Sequence, residues 1–367
     1  MKVILRFIAV TSLIAASAFA QTTASLTGQA TTDGKPLPGV TVTIASPNLQ
    51  GTRTAVTGDN GGYQFSGLPP GDYTVTFELA GMSTVTKRAR LELSQTARAD
   101  VALKVATVAE AITVTATTPT VLETPQVAAT ITQKQVEALP IGRSPLAAAL
   151  LQPGINANTY SAAQFSISGS PGYDNLVMIN GVVVTENVRS QVQPVFIEDA
   201  VQETTTLTGA ISAEYGRFTG GVVNSITKSG GNTFSGSLRD SLTNPSWTKL
   251  TPFKGQAQPI DKTDNVYEET LGGFIMKDRL WFFGAGRQAK TANQSSTLAV
   301  ASTTNPLRNK AAINYTHADD QSRYEGKLTG NISSKHSIVA SYLKVKETED
   351  NNVFLNVYDT ASLVNRE

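Results

Sequence analysis

Past Ala20 no apolar run is long enough to cross a bilayer as a helix, which takes about 20 residues in succession, and this feature narrows the possible folds more than any other. In hydrocarbon only helices and closed β-barrels satisfy every backbone N–H and C=O. The early apolar stretch, Phe7 to Ala16, follows Lys2 and Arg6 and runs into "ASAFAQ", with Ala18 and Ala20 in an A-x-A pattern. That reads as an export signal over residues 1–20, cut after Ala20, and it is too short for an anchor. The mature chain is then either soluble outside the cytoplasm or a membrane β-barrel. With no cysteine it has neither a disulfide framework nor thiolate chemistry. A net charge of +1 with scattered charges offers no basic stripe for nucleic acid, and a length of 367 residues suggests more than one domain.

From Ser25 to Lys104 the sequence is all-β. "GVTVTIASP", "GGYQFSGLPPGDYTVTFELAG" and "RLELSQTARADVALKV" are short alternating runs bounded by Gly, Pro, Asp and Asn. Val40, Val42 and Ile44 share one face and Thr41 and Thr43 the other. Tyr63, Phe65, Leu68, Tyr73, Val75 and Phe77 are enough large residues to fill a sandwich interior. The pattern "GKPLPGVTVTI" followed by "GGYQFSGLPPGDYTV" resembles the carboxypeptidase regulatory-like (transthyretin-like) domain, placed here at residues 22–104. The resemblance implies a seven-stranded sandwich and no enzymatic activity. A Ca²⁺ site at Asp59 and Asn60 is a weaker reading than a plain turn.

Residues 105–126, "VATVAEAITVTATTPTVLETPQ" in outline, read as an extended Thr/Val/Ala-rich linker. Within it Glu110, Ala111, Ile112, Thr113, Val114, Thr115 and Ala116 form an alternating, unpaired segment. Such a segment can add a strand to a partner's sheet edge.

From Val127 onward the pattern is mixed α/β. "VAATIT" reads as a strand, and Thr132 with Gln135 as a capping box opening a helix through Ala138. Ser144 caps a second helix beginning at Pro145. "QFSISGS" and a continuous "NLVMINGVVV" follow as strands, then a short helix around Val195 to Val201 and a strand near Thr204 to Leu207. The stretch "TGGVVNSITKSGG" looks at first like a phosphate loop. A P-loop, however, needs Gly at the positions held by Thr227 and Val222. Instead, "IEDAVQETTTLTGAISAEYGRFTGGVVNSITKSGG" behind "NLVMINGVVV" resembles the plug domain of a TonB-dependent receptor, placed at residues 127–230. The resemblance implies that "EAITVTA", residues 110–116, is the TonB box. It also implies structural plug positions at Gly181, Gly216, Gly220, Gly221, Asn224 and Lys228. Gly220 and Gly221 let the last plug strand run close to neighbouring backbone. Receptors of this kind commonly have Arg-Gly after the "F-x-I" strand. Here Ser168-Gly169 leaves an Arg-based plug–barrel ion pair at that position in doubt.

The last third, residues 231–367, alternates about ten-residue strands with long, short, long and short connections, as a membrane barrel does. The strands are "FSGSLRDSLT", "VYEETLGGFIM", "RLWFFGAGRQ", "RYEGKLTGNIS" and "HSIVASYLKV". The expected long loops are Asn244 to Asn265 and Thr291 to Gln321; the short ones are Lys277-Asp278 and Ser334-Lys335. Tyr324, Leu328 and Ile332 share one face, and Arg323, Glu325, Lys327, Thr329 and Asn331 the other. Trp281, Phe282 and Phe283 suit an aromatic girdle. A soluble antiparallel sheet would alternate in the same way strand by strand. The order of "GGFIMKDRLWFF" resembles the Oar-like branch of the receptor family.

The fold expected is thus multidomain: a β-sandwich, an α/β plug, and the first strands of an incomplete antiparallel transmembrane barrel. About five strands, against about eight in the smallest bacterial barrels and about 22 in plugged ones, are expected not to close a pore. No catalytic, cofactor or metal site is expected. His317 and His336 read as loop residues without ligand spacing, and "SGSPG" from Ser168 lacks the first Gly of a nucleophile elbow. The resemblance implies energised uptake with TonB and its ExbB–ExbD motor, outer-membrane lipid and an extracellular substrate as partners. It places the sandwich and the box in the periplasm of a Gram-negative cell. The competing reading is a non-transporting surface-binding or adhesion protein whose sandwich holds glycan or protein.

Overall fold

A computed structural model describes residues 23–49, 51–93, 95–106, 115–116, 121–122, 127–157, 164–186, 191–247, 261–296, 314–333, 336–353 and 363–366. The expected export signal lies outside the described residues, as do Glu110, Ala111, Ile112, Thr113 and Val114.

The N-terminal sandwich uses nine short strands where the resemblance implied seven. They are β1 (Ala24–Thr32), β2 (Lys35–Pro36), β3 (Thr41–Ala45), β4 (Thr52–Val56), β5 (Gly62–Leu68), β6 (Gly71–Glu78), β7 (Val85–Leu91), β8 (Thr96–Arg98) and β9 (Val101–Ala102). One sheet is centred on β1, which pairs with β2, β5, β8 and β9; the other runs β7-β6-β3-β4. The alternation in β3 and β6 becomes the core directly: Val42, Ile44, Val75 and Phe77 are fully buried and Thr41 and Thr43 are not. Tyr63 stacks edge-on against Phe65 and Phe77, and its hydroxyl donates to the Ala99 carbonyl at 2.5 Å. Each such side chain contributes about 1.5–3 kcal/mol on burial. At Asp59-Asn60 there is a turn, in which Asn60 Oδ1 accepts from the Gly62 N–H at 2.9 Å.

The linker is not free of pairing. Its described residues form β10 (Thr115–Ala116), parallel to β7, and β11 (Val121–Leu122), antiparallel to β8.

The plug sheet runs β12-β17-β18-β15-β16. Its strands are β12 (Val127–Thr132), β15 (Leu176–Ile179), β16 (Val182–Val183), β17 (Val201–Gly209) and β18 (Val222–Thr227). A separate hairpin joins β13 (Ile155–Ala157) and β14 (Phe165–Ile167). Helix α1 (Gln133–Ala138) opens with the Thr132 N–H donating to Gln135 Oε1 at 2.8 Å. Helix α2 (Pro145–Ala149) opens with Ser144 Oγ accepting from the Ala147 N–H at 3.1 Å. Two expectations fail here. "NLVMINGVVV" is a hairpin, not one strand, because Asn180 and Gly181 both take positive φ (50° and 78°) and reverse the chain between β15 and β16. This is the primed turn that Asn-Gly favours. The helix expected around Val195 to Val201 is a single 3-10 turn at Glu198–Ala200, and β17 is longer than the strand expected near Thr204 to Leu207.

The last region is an open antiparallel meander of six strands in sequence order: β19 (Ser235–Thr243), β20 (Asp264–Met276), β21 (Leu280–Ser296), β22 (Asn314–Ser333), β23 (His336–Val353) and β24 (Leu363–Arg366). It is not closed on itself. Its period-two alternation is clean in β22: Arg323, Glu325, Lys327 and Thr329 are buried against the plug, whereas Tyr324, Leu328 and Ile332 face outward. The same alternation overturns the aromatic girdle. Adjacent strand residues cannot share a face, and Trp281 and Phe283 are buried on the plug side. Trp281 Nε1 donates to Asn232 Oδ1 at 2.8 Å. The loop expected over Thr291 to Gln321 is shorter than read, since β21 reaches Ser296 and β22 starts at Asn314; residues 297–313 lie outside the described residues. His317 therefore lies within a strand, and His336 begins one. Leu363–Arg366 adds a sixth strand where five were expected.

Candidate functional site

The described geometry converges on the plug and on what holds it. Its central strand β18 is buried over its whole length. Val222 packs with Leu176, Met178, Leu207 and Tyr215 on one side, and Val223 with Ile155, Phe165, Ile167 and Val177 on the other. At Gly221 a Cβ would stand 2.5 Å from the Leu207 carbonyl oxygen and 2.7 Å from Ile167 Cγ2. At Gly220 it would meet Ser170 Oγ and Asn175 Oδ1. Real Cβ atoms do not approach so closely, so neither position has room for a side chain. Gly216 meets nothing within 4 Å and lies in the loop before β18. Asn224 is buried on β18, and Gly181 sits in the turn described above. Lys228 follows the strand, and its Nζ donates to the Asp199 carbonyl at 2.8 Å.

Where the plug meets the meander sheet the contact is ionic. Arg287 Nε of β21 lies 2.9 Å from Glu198 Oε2, and 3.8 Å from Glu268 Oε1 of β20. Arg239 of β19 lies 2.9 Å from Asp199, which Arg143 of the plug approaches at 3.7 Å. Lys327 of β22 is 6 % exposed at its side chain and donates to the Thr227 carbonyl at 2.9 Å. Arg323 donates to the Phe196 carbonyl at 2.8 Å, its guanidinium 5.6 Å from that ring's centre. A small apolar patch of Ile197, Ala200, Phe283 and Ala285 completes the seam. Burial pushes the Asp199 carboxyl above the usual range, against the pull of Lys228 and Arg143. A buried ion pair gains little over an apolar pair because desolvation nearly cancels the attraction, yet it fixes register. Such a seam holds the plug in one position without welding it there. The sequence reading found the inward charges but not their partners. The doubt over an Arg-based pair at Ser168-Gly169 concerned one position only; at this seam the plug supplies carboxylates, from "IEDA", and the sheet supplies Arg239 and Arg287.

A second seam joins plug and sandwich. Arg90 Nη2 on β7 pairs with Glu203 Oε2 on β17 at 2.8 Å, and Glu203 is 1 % exposed at its side chain. Gln202 Nε2 donates to the Pro70 carbonyl at 3.1 Å, and Thr130 Oγ1 to Glu92 at 3.4 Å. Burial, helped by Glu92, outweighs Arg90 and raises the Glu203 carboxyl to about 7 from an ordinary 4.5. The native state then keeps a proton that the unfolded chain gives up. This contribution is fully present below pH 4.5 and is lost as pH rises through about 7, on the order of 3 kcal/mol in all. Glu203→Gln should therefore flatten the fall in stability between those pH values, measured by thermal melts at stepped pH. An unchanged slope would refute the assignment.

Among the described residues no group of three or more His, Cys, Asp and Glu side chains is placed to hold a metal.

Comparison with known proteins gives the following matches. Residues 25–104 match the carboxypeptidase regulatory-like domain, and residues 120–223 match the TonB-dependent receptor plug domain. The TonB-dependent transporter Oar of Myxococcus xanthus is 30 % identical, over 83 % of this chain and 31 % of its own length. The chain thus spans about a third of that relative. Among solved structures, the outer membrane transporter YddB of Escherichia coli aligns with TM-score 0.48 and 16 % identity, over 61 % of this chain and 33 % of its own. The siderophore receptor PirA of Acinetobacter baumannii aligns with TM-score 0.44 and 17 % identity, over 62 % and 32 %.

Proposed function

This chain carries the plug domain of the TonB-dependent receptor family behind a carboxypeptidase regulatory-like domain, and from that premise we propose that it serves energised uptake of a bound substrate through a plugged β-barrel in the outer membrane. The observation that carries the reading is the plug itself. It is a small sheet threaded by a fully buried strand and held by ionic contacts to a meander whose other face carries many apolar side chains. Leu238, Leu271, Tyr324, Leu328 and Ile332 on that outward face suit contact with lipid. The meander is read as barrel wall, with inward charges meeting the plug and outward apolar groups meeting the membrane.

Orientation follows from the turns. The tight turn between β20 and β21 is tied to Asn232, which accepts from the Asp278 N–H at 3.0 Å. Asn232 stands just past the end of β18, where Ile226 pairs with Glu203, the residue that faces the sandwich. The sandwich and the tight turn thus share one end of the molecule. Short turns are periplasmic in outer-membrane barrels, which supports a periplasmic sandwich. There Glu110, Ala111, Ile112, Thr113, Val114, Thr115 and Ala116 would offer a strand to TonB. The ExbB–ExbD motor would supply the pull, because the outer membrane has no ATP or ion gradient of its own.

The test is Val114→Pro, which removes an N–H and fixes φ in the donated strand. Binding of a TonB C-terminal domain should be lost. Wild-type affinity in the variant would remove the box assignment, and no binding by either protein would favour a surface-binding role over transport.

A further inference from the structure

The sandwich domain holds the linker by both of its neighbouring sheet edges. On one sheet β7 receives β10 as an added parallel strand, with Thr115 opposite Thr86 and Ala116 opposite Lys87. On the other sheet β8 receives β11, with Val121 opposite Arg98 and Leu122 opposite Ala97. β7 and β8 follow each other in sequence, so the linker closes both edges on the same side of the sandwich. An exposed edge is a row of unpaired N–H and C=O groups, and strand addition satisfies them. The same strand β7 carries Arg90, whose 2.8 Å contact with Glu203 braces the sandwich against the plug.

This arrangement sets the path of any load. Between a point upstream of Thr115 and the first plug strand β12, the chain runs through β10 and then β11. While both are paired, tension applied upstream ends in the sandwich and its brace. It reaches β12 along the chain only after both have come away.

We propose that the carboxypeptidase regulatory-like domain is a tension latch, in which β10 on β7 and β11 on β8 tie down the linker so that a pull upstream of Thr115 is borne by the sandwich and its brace first and reaches the plug strand β12 along the chain only after both strands peel. The inference rests on the transport reading for the source of the pull, but its test does not. The chain has no cysteine, so Ala109→Cys gives a unique handle for an optical trap acting on the full chain in a lipid nanodisc. Two rupture steps are expected. The first frees residues 115–126, up to about 40 Å of chain at full extension, and the second opens the plug. Thr115→Pro combined with Leu122→Pro removes a donor from each added strand, outside the sandwich core. It should abolish the first step and leave the second at its wild-type force. A single step in the wild-type chain, or a first step that survives the double proline variant, overturns the latch. If a TonB C-terminal domain binds neither the parent chain nor Val114→Pro while both steps remain, it is the transport reading that falls and the latch that stands.

Discussion

Gly221→Leu should cost the plug its protease resistance. The strand it enters is buried on both sides, and even a Cβ there would stand 2.5 Å from the Leu207 carbonyl oxygen, an atom that β17 and β18 hold in their ladder. The Ile167 side chain blocks the other direction at 2.7 Å. Neither can yield without moving a strand. Inserting bulk into a packed site costs about 1–3 kcal/mol and more when backbone must shift, a sizeable share of a domain's total stability. The check is limited proteolysis of the full chain, following cleavage between residues 127 and 230. Resistance equal to wild type would mean that β18 is not where the structure puts it. Gly220→Leu should also be disruptive, since it would displace Asn175, a buried amide whose Oδ1 accepts from the Gly221 N–H and whose Nδ2 donates to the Phe165 carbonyl.

Arg287→Met should release the plug from the sheet. The arginine is the cation between Glu198 at 2.9 Å and Glu268 at 3.8 Å, and Glu268 is 5 % exposed at its side chain. Taking away one partner leaves buried charge without compensation, which costs about 3–5 kcal/mol, far more than the pair contributes when intact. Adding Glu198→Gln and Glu268→Gln removes the stranded charges and should recover most of the loss. The measurement is the midpoint of plug release in urea for the single and triple variants. Equal midpoints for Arg287→Met and the parent chain would show the seam to be held by its apolar patch instead.

How far the sequence could be read depended on which signals are local. Val40 to Ile44 and Tyr63 to Phe77 were legible because period-two burial needs only the next residue but one. The inward set of Arg323, Glu325, Lys327 and Thr329 was legible for the same reason. The girdle failed because an aromatic triplet was read as a cluster, when a strand must send Trp281 and Phe283 one way and Phe282 the other. The β15–β16 hairpin was missed although Asn180-Gly181 is its signal, because the seven apolar residues around it look like one buried strand. Residues 291–296 and 314–321 looked like loop because they are mostly polar, and nothing in composition separates a polar strand from a loop. The seams at Glu198, Asp199 and Glu203 join residues 40 to 113 positions apart in sequence. No local pattern announces which of many carboxylates will find which arginine.

The length of β22 has a consequence for what stands outside the membrane. Its twenty residues rise about 65 Å along the strand and, tilted as barrel strands are, about 50 Å along the membrane normal. The hydrocarbon layer is about 30 Å thick. With β21 and β23 nearly as long, a barrel wall built on these strands would stand about 20 Å clear of the lipid on the side away from the tight turns. The part beyond the membrane would then be stiffened by backbone pairing between neighbouring strands, where composition alone suggested loop.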